Sequence, residues 1–143
     1  MNALTVRQPF ALALVRGVKP WENRSWSQDL SASDGWIWIH AGAATHAMHR
    51  AAAELWPDMP ELRGMVRSAI IGAVRIGDVR DYADVAGEPW TIAPPPEKRG
   101  LCWHAVEAFE IPPVPCSGGL GLWTPSPTLA ASLATARGCR SAV

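Results

Sequence analysis

The sequence predicts an α+β fold, a small and partly open β-barrel of about five to six short strands with short helices at its rim. Three observations predict it. Several short runs alternate apolar and polar residues with the period of a half-buried strand. Glycine (12) and proline (13) punctuate those runs at close intervals. Three segments carry helix-start and helix-stop residues, and none is long enough to dominate the fold. A chain of 143 residues suits one ordinary domain able to bury its own core.

Leu4 to Val6 is β-compatible and opens the series. Phe10 to Arg16 reads as a two-turn helix, with Pro9 at its start and Gly17 just past its end. Lys19-Pro20 turns the chain into a strand reaching Trp26, with Glu22, Arg24 and Trp26 on one face and Trp21, Asn23 and Ser25 on the other. Ser31 to Gly35 is a turn. Trp36 to Ala41 is the clearest strand, with Trp36, Trp38 and His40 sharing a face. Thr45 caps an alanine-rich helix that ends near Trp56, before Pro57. Pro60 to Arg67 contributes a short helical turn. Ala69 to Val79 is a central strand in which Gly72 and Gly77 mark bulges. Gly87 to Gly100 is a proline-rich loop, Leu101 to Phe109 a strand, and Pro112, Pro113 and Pro115 end its pairing. Ser117 to Trp123 reads as a glycine-rich turn into a closing strand, and Ser126-Pro127 starts a last helix that stops at Gly138. Residues 1–125 are expected to form the domain, and 126–143 a C-terminal helix and tail.

Thirteen basic residues balance thirteen acidic ones, without a basic arm or an acidic tail. Binding of a polyanion must therefore come from a local cluster rather than from overall charge. Three cysteines without a C-x-x-C pair argue against a disulfide framework and suit a reducing cytoplasm. No secretory signal and no membrane span are expected. Dinucleotide, Walker and nucleophile-elbow motifs are missing, so no cofactor is expected.

The densest polar segment is Lys19-Pro-Trp-Glu22-Asn-Arg24-Ser-Trp26. Two cations, a carboxylate and two indoles within eight residues can hold a phosphate and a stacked base. The same pattern also describes an exposed strand with a largely solvated Glu22–Arg24 pair worth about 0–1 kcal/mol. On that view, Glu22→Gln alters ligand selectivity more than stability, and the neighbouring cations lower the Glu22 pKa. His40 is a candidate general base or a partly buried histidine bonded to a carbonyl. His46 and His49, three apart on a helix, lack a carboxylate or cysteine at matching spacing, so no metal site is expected. Cys102 and His104 share a strand face, which permits a thiolate–imidazole pair but equally fits packing.

LTVRQPFALALVRGVKPWENRSW followed by GWIWIHAG resembles the opening of ASCH domains. SAIIGAVRIGDV and LCWHAVEAFEIPPVPCSGGLGLW continue the likeness in order, so that it covers Leu4 to about Thr124. The resemblance implies a PUA-like barrel with a cleft lined by the Gln8-Pro9 loop and the Lys19-Glu22-Arg24 segment. It implies single-stranded RNA or a nucleotide as partner, with Lys19 and Arg24 on phosphate, Gln8 on a base edge, and Trp26 or Trp38 as a stacking surface. Some relatives are hydrolases of acylated cytidine that use K-x-x-T with a threonine nucleophile, and here that position is Glu22. Others are described as ribonucleases, for which Lys19, Glu22 and His40 would be the catalytic candidates. A protein–protein module remains a third reading. A monomer is favoured, with the oligomeric state left open.

Overall fold

The computed structural model describes residues 1–139 and 141–142. Its framework is one mixed sheet in the order β2-β5-β4-β3-β1-β6, in which only β1 and β3 run parallel. The strands are β1 (Ala3–Arg7), β2 (Trp21–Arg24), β3 (Trp36–Gly42), β4 (Ala69–Asp81), β5 (Leu101–Pro115) and β6 (Leu122–Trp123). A seventh, β7 (Ser141–Ala142), pairs with β5 beyond the end of β2. The helices are α1 (Phe10–Val15), α2 (His46–Leu55), α3 (Tyr82–Val85) and α4 (Pro127–Arg137). The barrel is not closed, because β2 and β6 end the sheet without pairing. This is the PUA-like α+β architecture.

Local signals set most of these elements. Thr45 Oγ1 accepts the Met48 amide at 3.2 Å and starts α2, and Ser126 Oγ accepts the Leu129 amide at 3.1 Å and starts α4. Gly17 takes a φ of 72° after α1, letting the amides of Val18 and Lys19 return to the Ala13 carbonyl. The pairing of β4 slips between Ile70 and Gly72 and again between Ile76 and Val79, flanking both predicted bulge glycines. Gly72 is also where α1 meets the sheet: a Cβ there would lie 2.9 Å from Val15 Cβ and 2.2 Å from the Phe109 carbonyl.

Two differences from the sequence reading stand out. β5 does not stop at Phe109 but runs on to Pro115. Pro112, Pro113 and Pro115 are exposed, and the irregular β4 register resumes at Val114, so the strand tolerates residues without amide protons. α3, a single turn, interrupts what reads as the approach to a loop.

The sheet separates two apolar clusters. One side holds Leu14 and Val15 of α1 with Leu4, Ile37, Ile39, Ile71, Trp21 and Trp103. The other holds Trp38, Ile70, Phe109 and Ile111 under Leu133 of α4. Period-two alternation in β3 sends Ile37 and Ile39 to the first side and Trp38 to the second. Among the described residues, no helix is long and apolar enough to cross a membrane.

Candidate functional site

The turn after α1 fixes the position of Lys19. Its backbone is tied to Ala13, and its ammonium lies 5.7 Å from the centre of the Phe10 ring. From there Nζ donates to the Trp21 carbonyl and, at 2.7 Å, to Glu22 Oε1. Glu22 Oε2 accepts from Arg24 Nε at 2.8 Å and lies 2.7 Å from Arg24 Nη2. Lys19 is 3% exposed and Glu22 6%, so the segment is not the solvated ion pair that its pattern also permits. Trp103, opposite Glu22 on β5, belongs to the main apolar cluster.

Burial pushes the Glu22 pKa up, but the charges and hydrogen bonds of Lys19 and Arg24 outweigh it and hold the carboxyl below its ordinary range. Glu22 is thus an anion with both oxygens engaged. It is suited to fixing two cations and poorly suited to moving a proton.

Arg24 has a second task. Its Nη2 donates at 3.1 Å to the carbonyl of Thr5 on β1, past the end of the two-residue β6. β2 and β1 are not neighbours in the sheet, so a side chain bridges the gap that backbone pairing leaves open. Thr5 then continues the network through its side chain. Its Oγ1 accepts from Gly119 N (3.3 Å) and Trp123 Nε1 (3.2 Å), which fills both acceptor positions of the hydroxyl. Its proton is therefore given to His40 Nδ1, 3.2 Å away, and His40 Nε2 donates to the Cys116 carbonyl at 2.9 Å. His40, 3% exposed, has neither ring nitrogen free. Gly118 closes over this pair so tightly that a Cβ would lie 2.6 Å from Thr5 Oγ1.

The structure thus brings Lys19, Glu22 and Arg24 into direct contact and reaches His40 only through Thr5. Gln8 is 1% exposed; its Oε1 accepts the Leu12 amide and its Nε2 donates to the Val66 carbonyl. It braces the start of α1, behind a cis bond to Pro9. Trp26 is half-buried, set edge-on to Trp103 with ring centres 5.1 Å apart. Trp38 lies in the cluster under α4, apart from the others. Cys102 and His104 do not pair: the thiol, its pKa raised by burial, faces Asn23, and the imidazole stacks on Trp21 and meets Asp78. Among the described residues no three His, Cys, Asp or Glu side chains converge as metal ligands.

Two residues of the network were invisible from sequence. Thr5 acts through its backbone carbonyl and its side-chain hydroxyl at once, and Trp123 comes from a strand of two residues. Arg24, with its side chain 24% exposed, also lines a surface pocket of about 270 Å³ together with Lys98, Arg99, Ile92, Pro94 and Pro95. The long Pro-rich loop gives no hint of this in its local pattern.

An open PUA-like sheet whose gap is bridged by a G-x-K-x-x-E-x-R segment defines a recognisable class of small domain. The ASCH domain profile matches residues 4–115, and the chain belongs to the ASCH domain family. No curated protein matches the sequence. The crystal structure of ASCH from Zymomonas mobilis is similar in fold, with a TM-score of 0.62 at 14% identity over 99% of this chain and 96% of that one. A mutant ASCH protein from the same organism gives 0.59 at 12% identity, covering 94% of each chain.

Proposed function

We propose that this ASCH domain binds single-stranded RNA or a nucleotide on the surface running from the Gln8-Pro9 loop past Arg24. The observation that carries the reading is the pocket beside Arg24. Two more cations stand there, Lys98 and an Arg99 that is 69% exposed and shared with Asp81, next to an apolar floor of Ile92, Pro94 and Pro95. Cations beside flat apolar surface are what a phosphate and an unstacked base require together. Arg24 reaches the ligand, Glu22 holds Arg24 in place with Lys19 on its other oxygen, and the half-buried Trp26, two residues on, offers a ring for stacking. Gln8 and Pro9 shape the neighbouring loop.

Binding is preferred over hydrolysis because a ribonuclease needs an available base, and Glu22 and His40 have all their acceptor atoms engaged. With no net charge to attract a polyanion, affinity should be micromolar or weaker, with a shallow salt dependence. Titration with a short oligoribonucleotide at low salt, followed by tryptophan fluorescence, tests the reading. Single strands should quench the signal, the duplex should bind less well, and Lys98→Ala/Arg99→Ala should weaken binding several-fold. No binding of the single strand, or equal binding by that variant, overturns it.

A further inference from the structure

A second basic pocket, of about 440 Å³, lies between the Gln8-Pro9 loop, the first turn of α2 and the segment leading into β4. Its polar lining is Gln8, His46, His49, Arg63 and Arg67, and it contains no carboxylate. Among the described residues neither Arg63 nor Arg67 makes an ion pair, whereas Arg16, Arg24, Arg75 and Arg99 all do. Gln8 is held from behind by Leu12 and Val66, so that wall of the pocket is rigid. Leu62 and Met65 supply an apolar side.

Two guanidinium groups facing one space, with no acid to neutralise them, repel a metal cation and attract an anion. The histidine pair, which by spacing alone raises the question of a metal, is thereby turned toward the opposite charge. Arginine forks match the oxygens of a phosphate, and imidazole N–H groups add donors in either protonation state. A phosphate monoester carries nearly two charges, against one for an internal phosphodiester, and so matches a pair of unpaired arginines better. The volume is ample for a nucleotide, with Leu62 and Met65 beside its sugar or base.

We infer that this pocket takes a terminal phosphate, so that the domain recognises the phosphorylated end of a strand rather than its interior alone. The inference rests on the RNA-binding reading for its ligand and shares only Gln8 with the surface proposed there. One oligoribonucleotide is prepared with a 5′-phosphate, a 3′-phosphate or hydroxyls at both ends, and titrated against the wild type and Arg63→Ala/Arg67→Ala. A phosphate at one end should tighten binding about tenfold. The variant should lose that gain while binding the hydroxyl-ended strand as the wild type does. Equal affinities for all three strands, or a gain that survives in the variant, overturn the inference and leave the RNA-binding reading standing. If no strand binds, that reading falls and the pocket is judged separately by phosphorus NMR of a nucleoside monophosphate. Line broadening by the wild type that the variant abolishes supports the pocket, and unbroadened lines overturn it.

Discussion

Lys19 and Arg24 in one cluster, and Arg63 and Arg67 in another, carry the same charge in opposite circumstances. The first two are locked onto one buried carboxylate and, through Arg24, onto the β1 backbone. The second two line a surface pocket and are unpaired among the described residues. A buried charge must be satisfied by the protein itself, because no water is present to do it. An exposed unpaired charge costs little to maintain and remains available to a ligand. The compact motif therefore reports first on how the open sheet is held together, with Arg24 its one member that also lines a surface pocket, while Arg63 and Arg67 carry charge that no acid of the fold takes up.

The sharpest way to break this contrast is Glu22→Gln. It leaves Lys19 buried without its counter-charge, a loss of about 3–5 kcal/mol, or a drop of about 10 °C in melting temperature for a chain of this size. Replacing the pair together, Lys19→Met with Glu22→Leu, should recover most of that loss, since an apolar pair of similar volume is often neutral in such a place. Thermal melts of the two variants read the difference. If Glu22→Gln melts within a degree or two of the wild type, the pair is solvated and the contrast collapses.

Acid gives the next largest effect. The folded protein holds Glu22 below its ordinary pKa, so the unfolded chain binds the proton first as the pH falls. The stabilising contribution is complete above about pH 4.3, the ordinary glutamate value, and is lost as the pH drops through the lower folded value. Melting temperature followed from pH 7 to pH 3 should decline below that point in the wild type. The decline should be shallower in the Lys19→Met/Glu22→Leu variant. Added salt should change the wild-type curve little, because a buried pair is weakly screened.

Much of the fold was legible because its signals are local. Pro9 and Gly17 bracket α1, Thr45 and Ser126 cap α2 and α4, and alternation assigns the faces of β3. The candidate site was legible only as a list. Alternation could place Glu22 and Arg24 on one face, but it could not say that Glu22 is buried or that Trp103 is its partner on β5, about eighty residues downstream. Trp38 had the same difficulty in reverse: a stacking candidate by composition, it is covered by Leu133 of α4, ninety-five residues away. Thr5 had no signal at all, because its role depends on the absence of a strand beside it. Prolines misled at the end of β5 because they remove an amide proton, which an exposed and bulged stretch of strand does not need.

The smallest effect expected is also the most telling about the free cations. Arg63→Ala/Arg67→Ala removes two long side chains that make no ion pair among the described residues and stand exposed. Substitutions at such positions change stability by no more than about 0.5 kcal/mol, here a degree or two in melting temperature. Should the pair carry structural weight after all, truncation would expose the Gln8 wall and the Leu62–Met65 side of the pocket, and the melt would fall by several degrees. An unchanged melt has a further consequence. Two like charges held at one pocket repel each other, so a slight gain in stability at low salt, fading as salt is added, would show that the native protein tolerates a mutual repulsion there. At Arg16 and Arg75 the same charge is met by an acid within the fold. A melt that rises at low salt and converges with the wild type at high salt would show that the two arginines cost the fold stability and leave their charge to a ligand.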